Sequence, residues 1–86
     1  MPEISRFYGI VIYMYFNDHP PPHFHAEYGE YEALIAINTL TVIHGNLPRR
    51  QLKRVKKWAS QHQGELHDIW QIAQSMLPLY RIPPLP

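Results

Sequence analysis

The chain has 86 residues and a mass of 10.2 kDa, which is room for one domain with one core and excludes an enzyme with a separate cofactor domain. At 45% hydrophobic, 17% charged and 13% aromatic it is neither a disordered acidic tail nor a membrane segment, and with no cysteine it has no disulfide, thiol nucleophile or thiolate zinc ligand. The net charge of +1 hides a split: Glu3, Asp18, Glu27, Glu30 and Glu32 against Arg6 leave residues 1–46 at −4, while Arg49, Arg50, Lys53, Arg54, Lys56, Lys57 and Arg81 against Glu65 and Asp68 leave residues 47–86 at +5. Such a dipole bears on partners, and nucleic acid, an acidic protein and a second copy of the chain are the candidates.

At the N-terminus, Pro2 and Glu3 stand where a basic leader would begin, and the longest apolar run, residues 10–16, is too short to span a bilayer. A cytoplasmic protein without membrane association is expected. Residues 8–16 (YGIVIYMYF) are β-branched and aromatic on both alternating faces, which predicts a central strand. Residues 17–22 (NDHPPP) lack three backbone donors and form a stiff connection. Residues 23–28 and 31–37 flank Gly29-Glu30, a Gly-first pair suited to a type II′ hairpin. The implied register sets Tyr28 opposite Tyr31, Ala26 opposite Ala33 and Phe24 opposite Ile35 on one apolar face, with His25 opposite Leu34 and Glu27 opposite Glu32 on the other. Asn38-Thr39 closes a second, weaker hairpin onto residues 40–44.

From residue 48 the hydrophobic period changes from two to 3.6. Over residues 48–63, Leu52, Val55, Trp58 and Ala59 share one arc of a helix, and Arg49, Arg50, Lys53, Arg54, Lys56 and Lys57 share the opposite arc. Gly64 reads as the stop of this helix. A second helix begins at Glu65 and carries Leu66, Ile69, Trp70, Ala73, Met76 and Leu77 until Pro78. Residues 78–86, ending in RIPPLP, form a proline-rich tail, either strapped over the core or disordered. The expected architecture is therefore α+β: an antiparallel β-meander of three to four strands, with two C-terminal amphipathic helices packed on one face, forming a single domain over residues 1–77.

Three constellations are candidates for function. The sheet face away from the helices carries Val11, Tyr13, Tyr15, Leu34 and Ile43, apolar enough to predict a homodimer or a protein partner covering it. On the same face His23 and His25 stand two residues apart, with Glu27 next along the strand. These three are the candidate acid, base and orienting groups of a His-dependent, RNase-like hydrolase. The same histidines with Asp18 or His19 from the proline loop are candidate ligands for a divalent metal such as zinc; no other cofactor is expected. Against both stands a structural role, with His25 stacked on Tyr13 or Tyr15 and bonded to the proline loop; as surface groups, the histidines would each cost at most about 1 kcal/mol on replacement by alanine. The third constellation is the basic helix, where Arg49, Arg50, Lys53, Arg54, Lys56 and Lys57 suit nucleic acid or an acidic protein. The leading expectation is a non-enzymatic binding module working through protein–protein contact.

The strings MPEISRFYGIVIYMYFNDH and PPHFHAEYGEYEALI, the LP before the first helix, and Trp58, Ala59 and His62 resemble an uncharacterised bacterial family, domain of unknown function 4160, over residues 1–77. The resemblance implies a small cytoplasmic bacterial protein of strands followed by helices, without an established activity or catalytic residue. It also implies a setting similar to a toxin–antitoxin pair, beside another small protein.

Overall fold

The change of period at residue 48 is where the fold changes layer. In the computed structural model, which describes residues 2–86, β1 (Glu3–Phe7), β2 (Ile10–Tyr13), β3 (His23–Tyr28), β4 (Tyr31–Ala36) and β5 (Val42–Asn46) precede α1 (Arg49–Gln61) and α2 (Gln63–Gln74). Met1, the first residue of the expected 1–77 domain, lies outside the described residues. The strands form one antiparallel sheet in chain order, each hydrogen-bonded to its sequence neighbours. This is the expected α+β meander with five strands rather than three to four.

The additional strand, β1, precedes residues 8–16, a segment that opens with a turn and keeps strand only over Ile10–Tyr13. Tyr8 and Gly9 both take positive φ, 52° and 76°, the signature of a type I′ turn, so the chain reverses there and Phe7 pairs with Ile10. The apolar run conceals this turn because tyrosine seldom adopts left-handed geometry. The next hairpin has the expected register throughout, from His23 opposite Ala36 to Tyr28 opposite Tyr31, with Gly29 at φ 57° leading its two-residue turn. Between β4 and β5 the residue of positive φ is Leu40 (59°), and the connection closes through Leu40 N–H to the Ala36 carbonyl at 2.8 Å.

Both helices cover one sheet face. Ile10, Ile12, Phe24, Ala26, Ala33 and Ile35 from the sheet meet Val55, Trp58 and Ala59 of α1 and Leu66, Ile69, Trp70 and Ala73 of α2 in one buried cluster. Trp58 lies against Phe7 and Phe24, with ring centroids 5.4 and 6.0 Å away. Gly64 is not the stop of α1: that helix ends at His62 (φ −131°), which also precedes α2, and Gly64 is inside α2. One non-helical residue redirects the chain, and Gly64, which lacks the positive φ of a helix-ending glycine, continues in the new helix. At the far end of α2, Met76 (φ 61°) donates its N–H to Ala73 and Leu77 donates to Ile72, the paired bonds of a Schellman cap, so the helix stops three residues before the expected Leu77.

The tail is a strap. Ile82 is 3% exposed within the core cluster, and its N–H donates to the Ile4 carbonyl at 2.8 Å. Trp58 Nε1–H donates to the Pro83 carbonyl at 2.9 Å, and Tyr8 Oη–H to the Pro86 carbonyl at 2.6 Å. Glu3 is held between Arg6 at 2.8 Å and Arg81 at 2.9 Å; the hydrogen bonds from these two guanidiniums pull its carboxyl down to about 2.

Candidate functional site

The proline loop and the first half of β3 meet at one place. Residues 17–22 leave the sheet beyond Met14, and two contacts tie them to the end of α2: Asn17 N–H donates to the Ala73 carbonyl at 3.1 Å, and Gln74 Nε2–H to the Asp18 carbonyl at 3.0 Å. This anchoring brings the Asp18 carboxylate over His23 and His25. Its Oδ1 accepts the His19 N–H at 2.8 Å, leaving Oδ2 to face His23 Nε2 at 3.0 Å and His25 Nε2 at 3.4 Å. Asp18, His23 and His25 have ligand-type atoms all within 4.8 Å of one another, and no other His, Asp or Glu group among the described residues meets that condition.

The imidazoles are not the surface groups expected from sequence. His23 is 5% and His25 7% exposed. His23 lies against Trp70 of α2 at 5.3 Å between ring centroids, and its Nδ1–H donates to the Pro21 carbonyl at 2.8 Å. His25 stacks on Tyr13, with centroids 4.9 Å apart and planes 17° from parallel, and Tyr15 meets its edge at 4.8 Å. The expected stacking on tyrosine and contact with the proline loop are thus both present. Burial lowers the His25 pKa below the ordinary imidazole value against the opposing pull of Asp18. For Asp18, burial acts to raise the pKa, but the His19 N–H and the two histidines outweigh it and hold the carboxyl low.

The remaining sequence candidates separate. His19 is exposed and contributes its backbone N–H, while Glu27 is half-buried and pairs across the ladder with Glu32, outside the Asp18 cluster. Tyr13 is 1% exposed, which corrects the expectation that it lines an open face: opposite His25 in register, its ring is covered by the stack and by Tyr15. Val11 and Leu34 are half-buried; Tyr15 and Ile43 are exposed. Sequence reading missed the groups that fix the histidines, namely the Pro21 carbonyl, Trp70 and the stacking face of Tyr13, because each depends on how the loop and α2 fold back.

A second site lies along α1. Arg50, Lys53, Arg54 and Lys57 form one helical stripe and, with Tyr8, Gln61, Leu85 and Pro86, line a groove of about 470 Å³. Arg49 and Lys56 belong to the same basic arc but not to the groove lining. Among the described residues none of the six α1 cations has a carboxylate within ion-pair distance. The Arg54 guanidinium sits 4.1 Å from the centroid of the Tyr8 ring. The groove exists because the tail returns: the hydrogen bond from Tyr8 to Pro86 places Leu85 and Pro86 of the strap opposite α1. Sequence periodicity identified the stripe and could not supply its other wall.

No helix among the described residues is long and apolar enough to cross a membrane. No curated protein and no solved structure matches the chain at a significant level. The model of one family matches residues 9–71, a span that begins at the Tyr8-Gly9 turn and contains the proline loop, both histidines and the whole of α1, and the chain accordingly belongs to the family described as domain of unknown function (DUF4160).

Proposed function

We propose that the protein is a non-enzymatic binding module that receives an acidic segment of a partner protein in the groove between α1 and the tail, regulating or neutralising that partner in the manner of a toxin–antitoxin component in the bacterial cytoplasm. The observation that carries this reading is the gathering of four cations, with no carboxylate partner among the described residues, around a groove of about 470 Å³ that also has Tyr8, Leu85 and Pro86 in its lining. Cations beside apolar surface suit a peptide that alternates acidic and apolar side chains. Nucleic acid is the less favoured ligand, since one face of the Tyr8 ring is taken by Arg54 and not free for a base to stack on. A hydrolase using His23 and His25 would need its substrate to reach rings that are 5% and 7% exposed, which favours binding over catalysis.

The test is fluorescence polarisation with a labelled acidic-apolar peptide and, separately, a single-stranded RNA of equal charge, on wild type and on the Arg50→Gln/Lys53→Gln/Lys57→Gln variant. Glutamine keeps the helix. Three exposed charge contacts predict a loss of peptide affinity of about tenfold or more, and wild-type binding that weakens as salt rises. Absence of peptide binding at low salt refutes the proposal, and RNA binding tighter than the peptide replaces the acidic partner with nucleic acid.

A further inference from the structure

We propose that Asp18, His23 and His25 form a binding site for a divalent transition metal of zinc-like chemistry, at the junction of the proline loop and β3. The reasoning starts from proton positions. The Pro21 carbonyl can only accept, so the 2.8 Å contact fixes a hydrogen on His23 Nδ1. In the neutral ring, Nε2 then presents a lone pair, and it faces Asp18 Oδ2 at 3.0 Å. Two lone pairs at that distance require positive charge between them, either an additional proton or a cation.

His25 favours a cation through its convergence on the same oxygen. Its Nε2 is directed at the same Oδ2, at 3.4 Å, so one carboxylate oxygen is the focus of two ring nitrogens. Among the described residues its buried Nδ1 has no hydrogen-bond partner, and the carboxylate oxygen Glu32 Oε2 stands 3.8 Å from it. A proton on His23 satisfies one nitrogen and leaves His25 Nδ1 as it is. A cation accepts Nε2 from both rings, which places the His25 hydrogen on Nδ1 facing Glu32. Metal-bound His23 then has the Pro21 carbonyl as the acceptor behind it, the arrangement by which proteins orient histidine ligands, while the Glu32 carboxylate, 3.8 Å from His25 Nδ1, must close on that ring before it can accept. The remaining carboxylate oxygen of Asp18 is held by the His19 N–H, so Oδ2 is presented alone.

The donor set selects the metal. Two imidazole nitrogens and one carboxylate oxygen suit zinc and its first-row neighbours rather than magnesium or calcium, which take oxygen ligands. Three protein ligands leave a coordination position for water. The rings require little reorganisation, since stacking on Tyr13 and packing against Trp70 already fix them.

The test uses full-length protein without a histidine tag, stripped with chelator and titrated with Co²⁺ and Zn²⁺. Wild type should bind one equivalent, develop a visible cobalt d–d spectrum, and melt about 5 °C or more higher in excess zinc. Asp18→Asn, which preserves shape and is checked for folding by circular dichroism, should bind at least 100-fold more weakly. Nitrogen NMR of the wild-type histidines should show both Nε2 resonances moving on zinc addition while the Nδ1 atoms keep their hydrogens. Absence of metal binding by wild type overturns the site, a proton on His23 Nε2 then marking an imidazolium–carboxylate pair, and Asp18→Asn binding as tightly as wild type overturns it in favour of adventitious coordination elsewhere.

Discussion

Replacing Ile82 with alanine tests whether the tail belongs to the cooperative unit. The side chain is 3% exposed and part of the main core cluster, and its backbone is bonded to Ile4. Three buried carbons at about 0.8 kcal/mol each give about 2.4 kcal/mol of lost transfer free energy. A residual cavity would add to this and inward movement of the strap would subtract, which keeps the value near the lower end of the range for such truncations. For a domain of this size that corresponds to a fall in Tm of roughly 10–20 °C. Thermal melts followed by far-UV circular dichroism read the fall directly. Trp58 fluorescence should change at the same temperature, because the indole N–H is bonded to Pro83. Pro84→Ala, at an exposed position on the same strap, should stay within about 0.5 kcal/mol of wild type. A shift below about 3 °C for Ile82→Ala would show that the tail detaches on its own and contributes nothing to global stability.

Three further outcomes are expected. Gly45→Ala should be severely destabilising, by about 3 kcal/mol or more, because the added Cβ would collide with the Glu32 carbonyl oxygen at a residue with φ 77°; Gly64→Ala, in open space inside α2, should stabilise by about 0.5 kcal/mol, both measured by urea unfolding. His25→Ala should cost about 2 kcal/mol, since it removes a buried ring stacked on Tyr13; a loss under about 0.5 kcal/mol would return His25 to the surface class. Because the folded-state pKa of Glu3 lies near 2, below its ordinary 4.5, the stability it contributes is fully present above pH 4.5 and is lost as pH falls toward 2; carboxyl NMR titration should place its midpoint near 2, moving back toward 4.5 in Arg6→Gln/Arg81→Gln.

The β3–β4 hairpin was readable in full because a two-residue turn and strict alternation leave one register that keeps Phe24, Ala26, Ala33 and Ile35 together. The helices were readable in type and face, since the 3.6 period segregates Val55 and Trp58 from the lysines and arginines. Their junction was not, because a break of one residue at His62 carries no composition signal beside a glycine two positions later. The first hairpin was hidden by an apolar run that continues through its turn. For the site, the spacing of His23 and His25 placed both rings on one strand face, and nothing in spacing could report that Asp18 directs one oxygen at both rings, that Trp70 reaches His23 from the other layer, or that Pro86 supplies a wall to the basic groove. Those contacts join segments distant in sequence, where local periodicity has no information.

The bond between Ile82 and Ile4 also bears on the order of events in folding. Every strand pairs with its chain neighbour, so the sheet can assemble by successive short closures, and the helices follow one another directly. In the unfolded chain, joining the strap to β1 would close a loop from Ile4 to Ile82 before any contact rewards it, so the strap is expected to dock after the core has formed, when only the segment following α2 remains to be ordered. Contacts made that late are absent from the transition state, so strengthening or weakening them changes the unfolding rate and leaves the folding rate nearly untouched. The strap is therefore expected to act as a kinetic latch, with Ile82→Ala speeding unfolding in stopped-flow measurements and leaving the refolding rate nearly unchanged.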